Sequence, residues 1–278
     1  MDLNLLQGFV YGLVSGFAEF MPVSAEAHEA LLLWLFGVES QHLLQIFVRL
    51  GTLAGLLGAC RTQLARIRRE QRLVRIPKIR RKRQPDVAAL MSIKLLKIAA
   101  IPMLLLLLFR IKTRAWDHNL LLISVFLILN GIGLFVPERV PTGNKDSLSL
   151  SPLDGFLMGL FGGFSVLTGI SRMGMLTAAA SVRGTERQHG LNLALLLSIP
   201  ALILLLIIDI ISLATAGLIG VTFLAILQCL LCAVAAFIGA TIAIMMLRFL
   251  AFKIGYSGFA YYSWGAALFS LILYLSIS

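Results

Sequence analysis

The sequence predicts an all-α polytopic membrane protein: an inverted-topology repeat in which two re-entrant helix hairpins sit among about six transmembrane helices. Three observations carry that prediction. Hydrophobic residues make up 59% of the 278 and charged residues only 13%, with a mean hydropathy of +0.94, far from the composition of soluble domains. Six apolar stretches are each long enough to cross a hydrocarbon core. An apolar motif with glycine at every fourth position also occurs once in each half. Gly8, Gly12, Gly16 and Ser24 return in the same spacing as Gly155, Gly159, Gly163 and Ser171.

The chain opens Met-Asp with no basic leader, so a cleaved signal peptide is not expected. Segment 3–36 comes first: two apolar arms around a break at Pro22, each too short for a comfortable span. A hairpin entering and leaving on one side fits better. The full spans are expected at about 43–60, 88–109, 119–136, 191–209, 220–243 and 256–276. Between the first two lies a basic loop, 61–83, with eleven Lys and Arg against the single Glu70. A short basic loop between apolar spans is a cytoplasmic topology signal, with bilayer headgroups as neighbours rather than nucleic acid. The loops at 137–153, 183–190 and 244–255 then also fall inside, with Arg139, Lys145, Arg183, Arg187, Arg248 and Lys253. Loop 110–118 falls outside, and its Arg110, Lys112 and Arg114 mildly violate the charge bias.

Residues 137–153, with Pro137, Pro141, Gly143, Asn144 and Pro152, read as a linker. Segment 154–180 is the second hairpin, broken at Thr168-Gly169. The whole chain, 1–278, is therefore one domain of two pseudo-repeats, 1–136 and 154–278, meeting at the hairpin tips. Cys229 and Cys232 form a lone Cys-x-x-Cys inside an apolar helix and read as packing; with Cys60 they make no disulfide framework.

Broken apolar helices in corresponding halves point to a binding site at mid-membrane depth. The glycine column alone is accounted for by close helix packing. The ionisable residues beside each break add a functional signal, because charge at that depth is expensive. In the first hairpin, Ser15 and Glu19 share one helix face, Pro22 ends the arm, and Ser24 stands where an N-cap belongs. The helix starting there offers free N–H groups to an anion, and His28 lies about one turn in. In the second hairpin, Ser171 is again a cap and Arg172 is a cation in an apolar segment. Unpaired, it would cost upward of about 3 kcal/mol. Its partner is either Glu19 or a ligand phosphate held in a bidentate fork.

The run Gly16-Phe-Ala-Glu19-Phe-Met-Pro22-Val-Ser24, followed by His28, resembles the first signature of the undecaprenyl-diphosphate phosphatase family of the bacitracin-resistance type. Thr168-Gly-Ile-Ser171-Arg172-Met-Gly174 resembles the second. Arg49-Leu50-Gly51 stands at the family's Gln-Leu-Gly, and Leu195 to Pro200 is similar to its Phe-Leu-Leu-x-x-Pro. The resemblance implies an inverted-repeat fold in the bacterial plasma membrane and hydrolysis of a polyprenyl diphosphate on its outer side, with a divalent cation, Mg²⁺ or Ca²⁺. Glu19 would position metal or water, His28 would serve as acid/base and Arg172 as diphosphate clamp. Ser24, Ser171, Gly169 and Gly174 would lie against the substrate, and Glu26 would be a second, weaker metal ligand. A homodimer is compatible with it. The chain departs from the signatures at Ser15, where the family has glutamate, at Ala25, where it has a second serine, and at Ala27, Thr168 and Met173. Glu26 or Glu29 could replace the missing carboxylate. These departures keep a second function class in view, a non-catalytic binder or translocator of the lipid phosphate.

Overall fold

Each glycine-spaced segment folds as two short helices separated by a non-helical tip. The computed structural model describes residues 3–38, 42–216, 222–250 and 255–277. The first pair is α1 (Leu5–Phe20) and α2 (Ala25–Phe36); then follow α3 (His42–Ala59), α4 (Arg61–Arg75), α5 (Val87–Leu107), α6 (Arg110–Thr113) and α7 (Leu120–Phe135). The second pair is α8 (Pro152–Gly163) and α9 (Arg172–Val182), followed by α10 (Arg187–Ala216), α11 (Phe223–Leu250) and α12 (Ser257–Ile277).

Local chemistry sets the ends of the hairpin helices. Asn4 and Gln7 form a reciprocal capping box at the start of α1. Met21, extended before Pro22, stops that helix. Ser24 caps α2, and Gly37 ends it in the left-handed conformation at φ 66°. Ser151 and Asp154 box the start of α8, with Pro152 in its first turn. The four arms α1, α2, α8 and α9 run 16, 12, 12 and 11 residues, short of the roughly 20 that cross a bilayer.

Among the described residues, six helices are long and apolar enough to cross a membrane: α3, α5, α7, α10, α11 and α12. Their outward faces carry exposed Ile101, Leu105, Ile203, Val234, Met245 and Ile272, as an apolar solvent requires. Pro102 and Pro200 sit inside α5 and α10, tolerated as prolines in membrane helices are.

The spans correspond to the stretches expected from sequence, with two differences. Helices α10 and α11 run to 30 and 28 residues, longer than 191–209 and 220–243, because α10 starts in the polar run from Arg187 to Gly190 and the mainly apolar runs 210–216 and 244–250 continue the two helices. Arg248 thus lies in the last turn of α11 and donates to the Ala59 carbonyl at 3.1 Å. Positions 220 and 221, and Lys253, lie outside the described residues. The basic segment 61–83 is not a plain loop either. Without Gly or Pro before Pro77, residues 61–75 form α4, which turns Leu64, Ile67 and a buried Glu70 inward and its arginines outward. Glu70 binds Arg83 and Arg69 and accepts from the Asp86 amide, while Asp86 pairs with Arg66.

The packing is reciprocal between the halves. Helix α1 lies along α11, and α8 lies along α5. The glycine columns form both seams. A Cβ on Gly16 would fall 2.7 Å from Ala236 Cα, and one on Gly159 2.8 Å from Ala99 Cα. Cys232 belongs to the same seam, donating to the Gly8 carbonyl at 2.9 Å. Helices α7 and α12 pair with one another, and α3 packs on α10 and α11. The main core gathers Phe20, Met21 and Val23 of the first tip with Met103, Met173 and Leu195. The expected linker is pinned down: the Lys145 amide donates to Gly184 O, Glu186 N–H donates to Lys145 O, and Ser147 bonds Ser92 and His189.

Candidate active site

The two tips meet inside the bundle. Glu19, in the last turn of α1, and Arg172, the first residue of α9, form an ion pair, with the residues only 8% and 5% exposed. Glu19 was one of the two partners that Arg172 could have taken. The guanidinium's Nε is buried and has no hydrogen-bond partner.

The serines beside the pair hold the tips together. Ser24 Oγ accepts from Ala27 N–H at 3.5 Å and from Gly169 N–H at 3.1 Å. Ser171 Oγ accepts from Gly174 N–H and donates to the Met21 carbonyl, both at 3.1 Å. Ser24 adopts φ 65°, unique among the described non-glycine residues; a left-handed serine persists only where its surroundings over-determine it. Gly169 takes φ 127°, and a Cβ there would press on Phe126 Cβ at 2.6 Å. Gly174 admits α9 beside Pro22, whose Cβ would lie 3.3 Å from an added methyl.

Asn130 of α7 completes the crossing and was not singled out from sequence. Its side chain accepts from Ser171 N–H at 2.8 Å and donates to Pro22 O at 3.3 Å and Ser263 Oγ at 2.9 Å. The signal that finds it is the one that found Arg172, a polar residue inside an apolar span.

His28 is held apart from the pair. Its Nδ1 lies 2.7 Å from the Ser24 carbonyl and its Nε2 2.7 Å from Tyr262 Oη. The carbonyl can only accept, so Nδ1 carries the proton and Nε2 accepts from the tyrosine. No hydrogen bond among the described residues joins His28 to Glu19 or Arg172.

A cavity of about 340 Å³ opens beside the tips, at the C-terminal end of α5; Glu26, Glu29, Gln45, Arg110, Asp117 and His118 line its polar part. Arg110, 3% exposed, donates to both Asp117 oxygens at 2.8 and 2.6 Å and to Thr168 Oγ1 at 3.2 Å. Thr168 donates to Asp117 in turn, and Thr113 Oγ1 donates to Val166 O at 2.9 Å. Loop 110–118 is thereby latched onto the second tip. Arg114 pairs with Asp209 of α10, which also takes Arg49 of α3. The loop's excess of positive charge has a structural reason here: Arg110 is buried and Arg114 half-buried beside acids, and a paired cation contributes little to topology.

Glu19 is occupied by Arg172, and no cluster of three or more His, Cys, Asp and Glu suited to a metal occurs among the described residues. Glu26 and Glu29 on the cavity wall suit a hydrated Mg²⁺, which uses one or two carboxylates together with substrate phosphate oxygens rather than a protein cage.

The family model described as bacitracin resistance protein BacA matches residues 8–269. A relative from Methanobrevibacter smithii named undecaprenyl-diphosphatase is 30% identical over 268 residues, covering 94% of this chain and 95% of its own. Relatives of the same name from Alkaliphilus metalliredigens and Desulforudis audaxviator are 26% and 32% identical. The first spans 97% of this chain and all of its own length, the second 71% and 73%.

Proposed function

The chain belongs to the bacitracin resistance protein BacA family, and on that premise we propose that it hydrolyses undecaprenyl diphosphate to the monophosphate and inorganic phosphate. It is a phosphatase of the multi-pass membrane type. The observation that carries the reading is the meeting of Glu19 and Arg172 at two crossed helix breaks, with Glu26 of the first hairpin lining a polar cavity. Phosphoryl transfer asks the protein for positioning and charge neutralisation more than for covalent chemistry, and that arrangement supplies both. The translocator alternative is not favoured, since the relatives are named for hydrolysis.

In this reading Arg172 is the diphosphate clamp. Its free Nε edge takes a phosphate oxygen, while Glu19 fixes the guanidinium plane and positions the reacting group opposite. Ser24, Ser171, Gly169 and Gly174 keep the two helix N-termini aimed at the headgroup, and their N–H dipoles favour an anion. His28, basic at Nε2, exchanges its proton through Tyr262. Glu26 would hold a divalent cation, and that ion would neutralise charge on the transferred phosphoryl group. The hairpins are re-entrant, the reciprocal seams are the two faces of an inverted repeat, and the cavity opens to the outer face of the bacterial plasma membrane.

The test is phosphate release by purified protein from C55 and C15 prenyl diphosphates, with Mg²⁺ or with chelator. Release that falls at least about 100-fold in Arg172→Ala supports the reading. Tight binding of prenyl monophosphate with no release from either diphosphate would end it.

A further inference from the structure

The cavity beside the tips changes character along its length. Helix α2 lines it with Glu26, Glu29, Ala30, Leu33 and Trp34. These positions fall at i, i+3, i+4, i+7 and i+8, so they form one stripe along one helix face. The stripe begins with carboxylates and ends apolar. At about 1.5 Å per residue, Trp34 stands roughly 12 Å along the axis from Glu26.

The charged end of the stripe is the end at the tips. Ser24, the cap of α2, accepts from Gly169 N–H, and Arg110 on the cavity wall donates to Thr168 Oγ1 at 3.2 Å. Val38, past the far end of α2, and Leu120 of α7 extend the apolar lining. Leu33 is buried in a cluster with Leu44 and Val48 of α3, while Trp34 is 39% exposed. Exposed apolar side chains on the outer faces of the spans need only bilayer lipid against them. Those of α2 share one concavity with ionisable groups. A hydrocarbon chain alone would leave the charged part of that concavity unmatched, and a bare diphosphate would leave the apolar part wet.

An occupant that suits both parts is an anion joined directly to an apolar chain. We propose that the apolar end of the cavity receives the isoprenoid units next to the diphosphate, and that Trp34 is the specificity-determining residue packed against them. The proposal rests on the hydrolase reading. The headgroup then lies at the tips and the chain leaves past Leu33 and Trp34. An indole suits that place, because it offers a broad apolar face with few rotatable bonds to immobilise. The contact is made by the part of the chain nearest the diphosphate, so a C15 substrate suffices to test it.

The experiment compares wild type, Trp34→Ala and Trp34→Phe in phosphate release from C15 prenyl diphosphate, with thermal unfolding followed on each. A chain contact made equally in the ground and transition states raises KM and spares kcat when it is lost. Even small apolar contacts in such a pocket are worth about 10-fold or more. Trp34→Ala should therefore raise KM at least about tenfold with kcat within about threefold, and Trp34→Phe should bring KM back to within about threefold of wild type. A smaller rise in Trp34→Ala, or an equal rise in Trp34→Phe, overturns the proposal and leaves the hydrolase reading standing. If Trp34→Ala does not fold, a photolabel decides on wild type. A C15 prenyl diphosphate with a diazirine on its first isoprene unit should leave adducts within 30–38 or on Leu120, and adducts only elsewhere, or none, overturn the assignment. The label needs no turnover, so absence of phosphate release by wild type overturns the hydrolase reading separately.

Discussion

Arg172 combines two properties that lysine cannot reproduce together: a planar fork and a buried Nε left without a partner while Nη2 pairs with Glu19. Arg172→Lys keeps the charge and loses the fork. Its kcat/KM is expected to drop at least about 100-fold, roughly 2.7 kcal/mol of transition-state stabilisation, read from steady-state phosphate release. Asn130 is a different kind of residue, a brace. Asn130→Leu would strand the Ser171 amide and the Pro22 carbonyl, at about 1–3 kcal/mol for each orphaned group. Thermal unfolding in detergent should show a lowered Tm together with reduced turnover, and an unchanged Tm would refute the bracing role. Residues of this class were unevenly legible. Glu19 and Arg172 announced themselves as charges in apolar sequence, and Asn130 and Asp209 sit in equally apolar runs but were passed over. Arg110 and Asp117 were illegible because charges in a loop carry no cost until the loop is buried.

The helix seams give predictions of another kind. A methyl added at Gly16 would meet the backbone of Ala236 rather than a movable side chain. Gly16→Ala is therefore expected to cost about 1–3 kcal/mol, as overpacking does, and Gly159→Ala should match it at the opposite seam. Loop 110–118 is fastened partly by the Arg114–Asp209 pair. Removing one partner of a buried pair costs about 3–5 kcal/mol, and much of that would be spent freeing the loop. Trypsin should cut Asp209→Asn at Lys112 or Arg114 well before wild type, and equal cleavage rates would contradict the latch.

At the other end of α5, Arg83 first, and then the Asp86 amide, hold the Glu70 carboxyl below its ordinary value of about 4.3. A depressed folded-state value means the carboxylate favours the ordered α4 segment above the ordinary value. That support is lost as pH falls through the folded value. Hydrogen-exchange protection over 61–86 should fall as the pH drops below the ordinary carboxylate value, and Glu70→Gln should remove that dependence. Here the sequence misled: eleven basic residues read as a loop, while the helical spacing of Leu64, Ile67 and Glu70 beneath them went unread.

For the molecule as a whole, the spans were legible because length and hydropathy suffice to identify a membrane helix. The breaks were legible because Pro22 and Gly169 cannot be mistaken. What joins them was not, since no local pattern specifies that Ser24 receives the Gly169 amide from the other half of the chain. Labelling tests the orientation. The native Cys60, Cys229 and Cys232 are all buried, so they should stay silent toward an impermeant maleimide. In intact cells the reagent should modify His118→Cys, and it should reach Ile79→Cys, fully exposed at the other end, only after permeabilisation. The reverse order would invert the proposed topology.

The closed pairing of positions 19 and 172 has one more consequence. At rest this enzyme is electrically self-contained at its centre, so chloride or acetate, each bringing one negative charge, gains little by prising the two apart. A pyrophosphoryl group brings several negative charges at once, together with an isoprenoid tail that prefers the surrounding lipid. Selection among anions thus begins before any atom of the ligand is recognised by shape, through the toll that a neutral interior sets on entry.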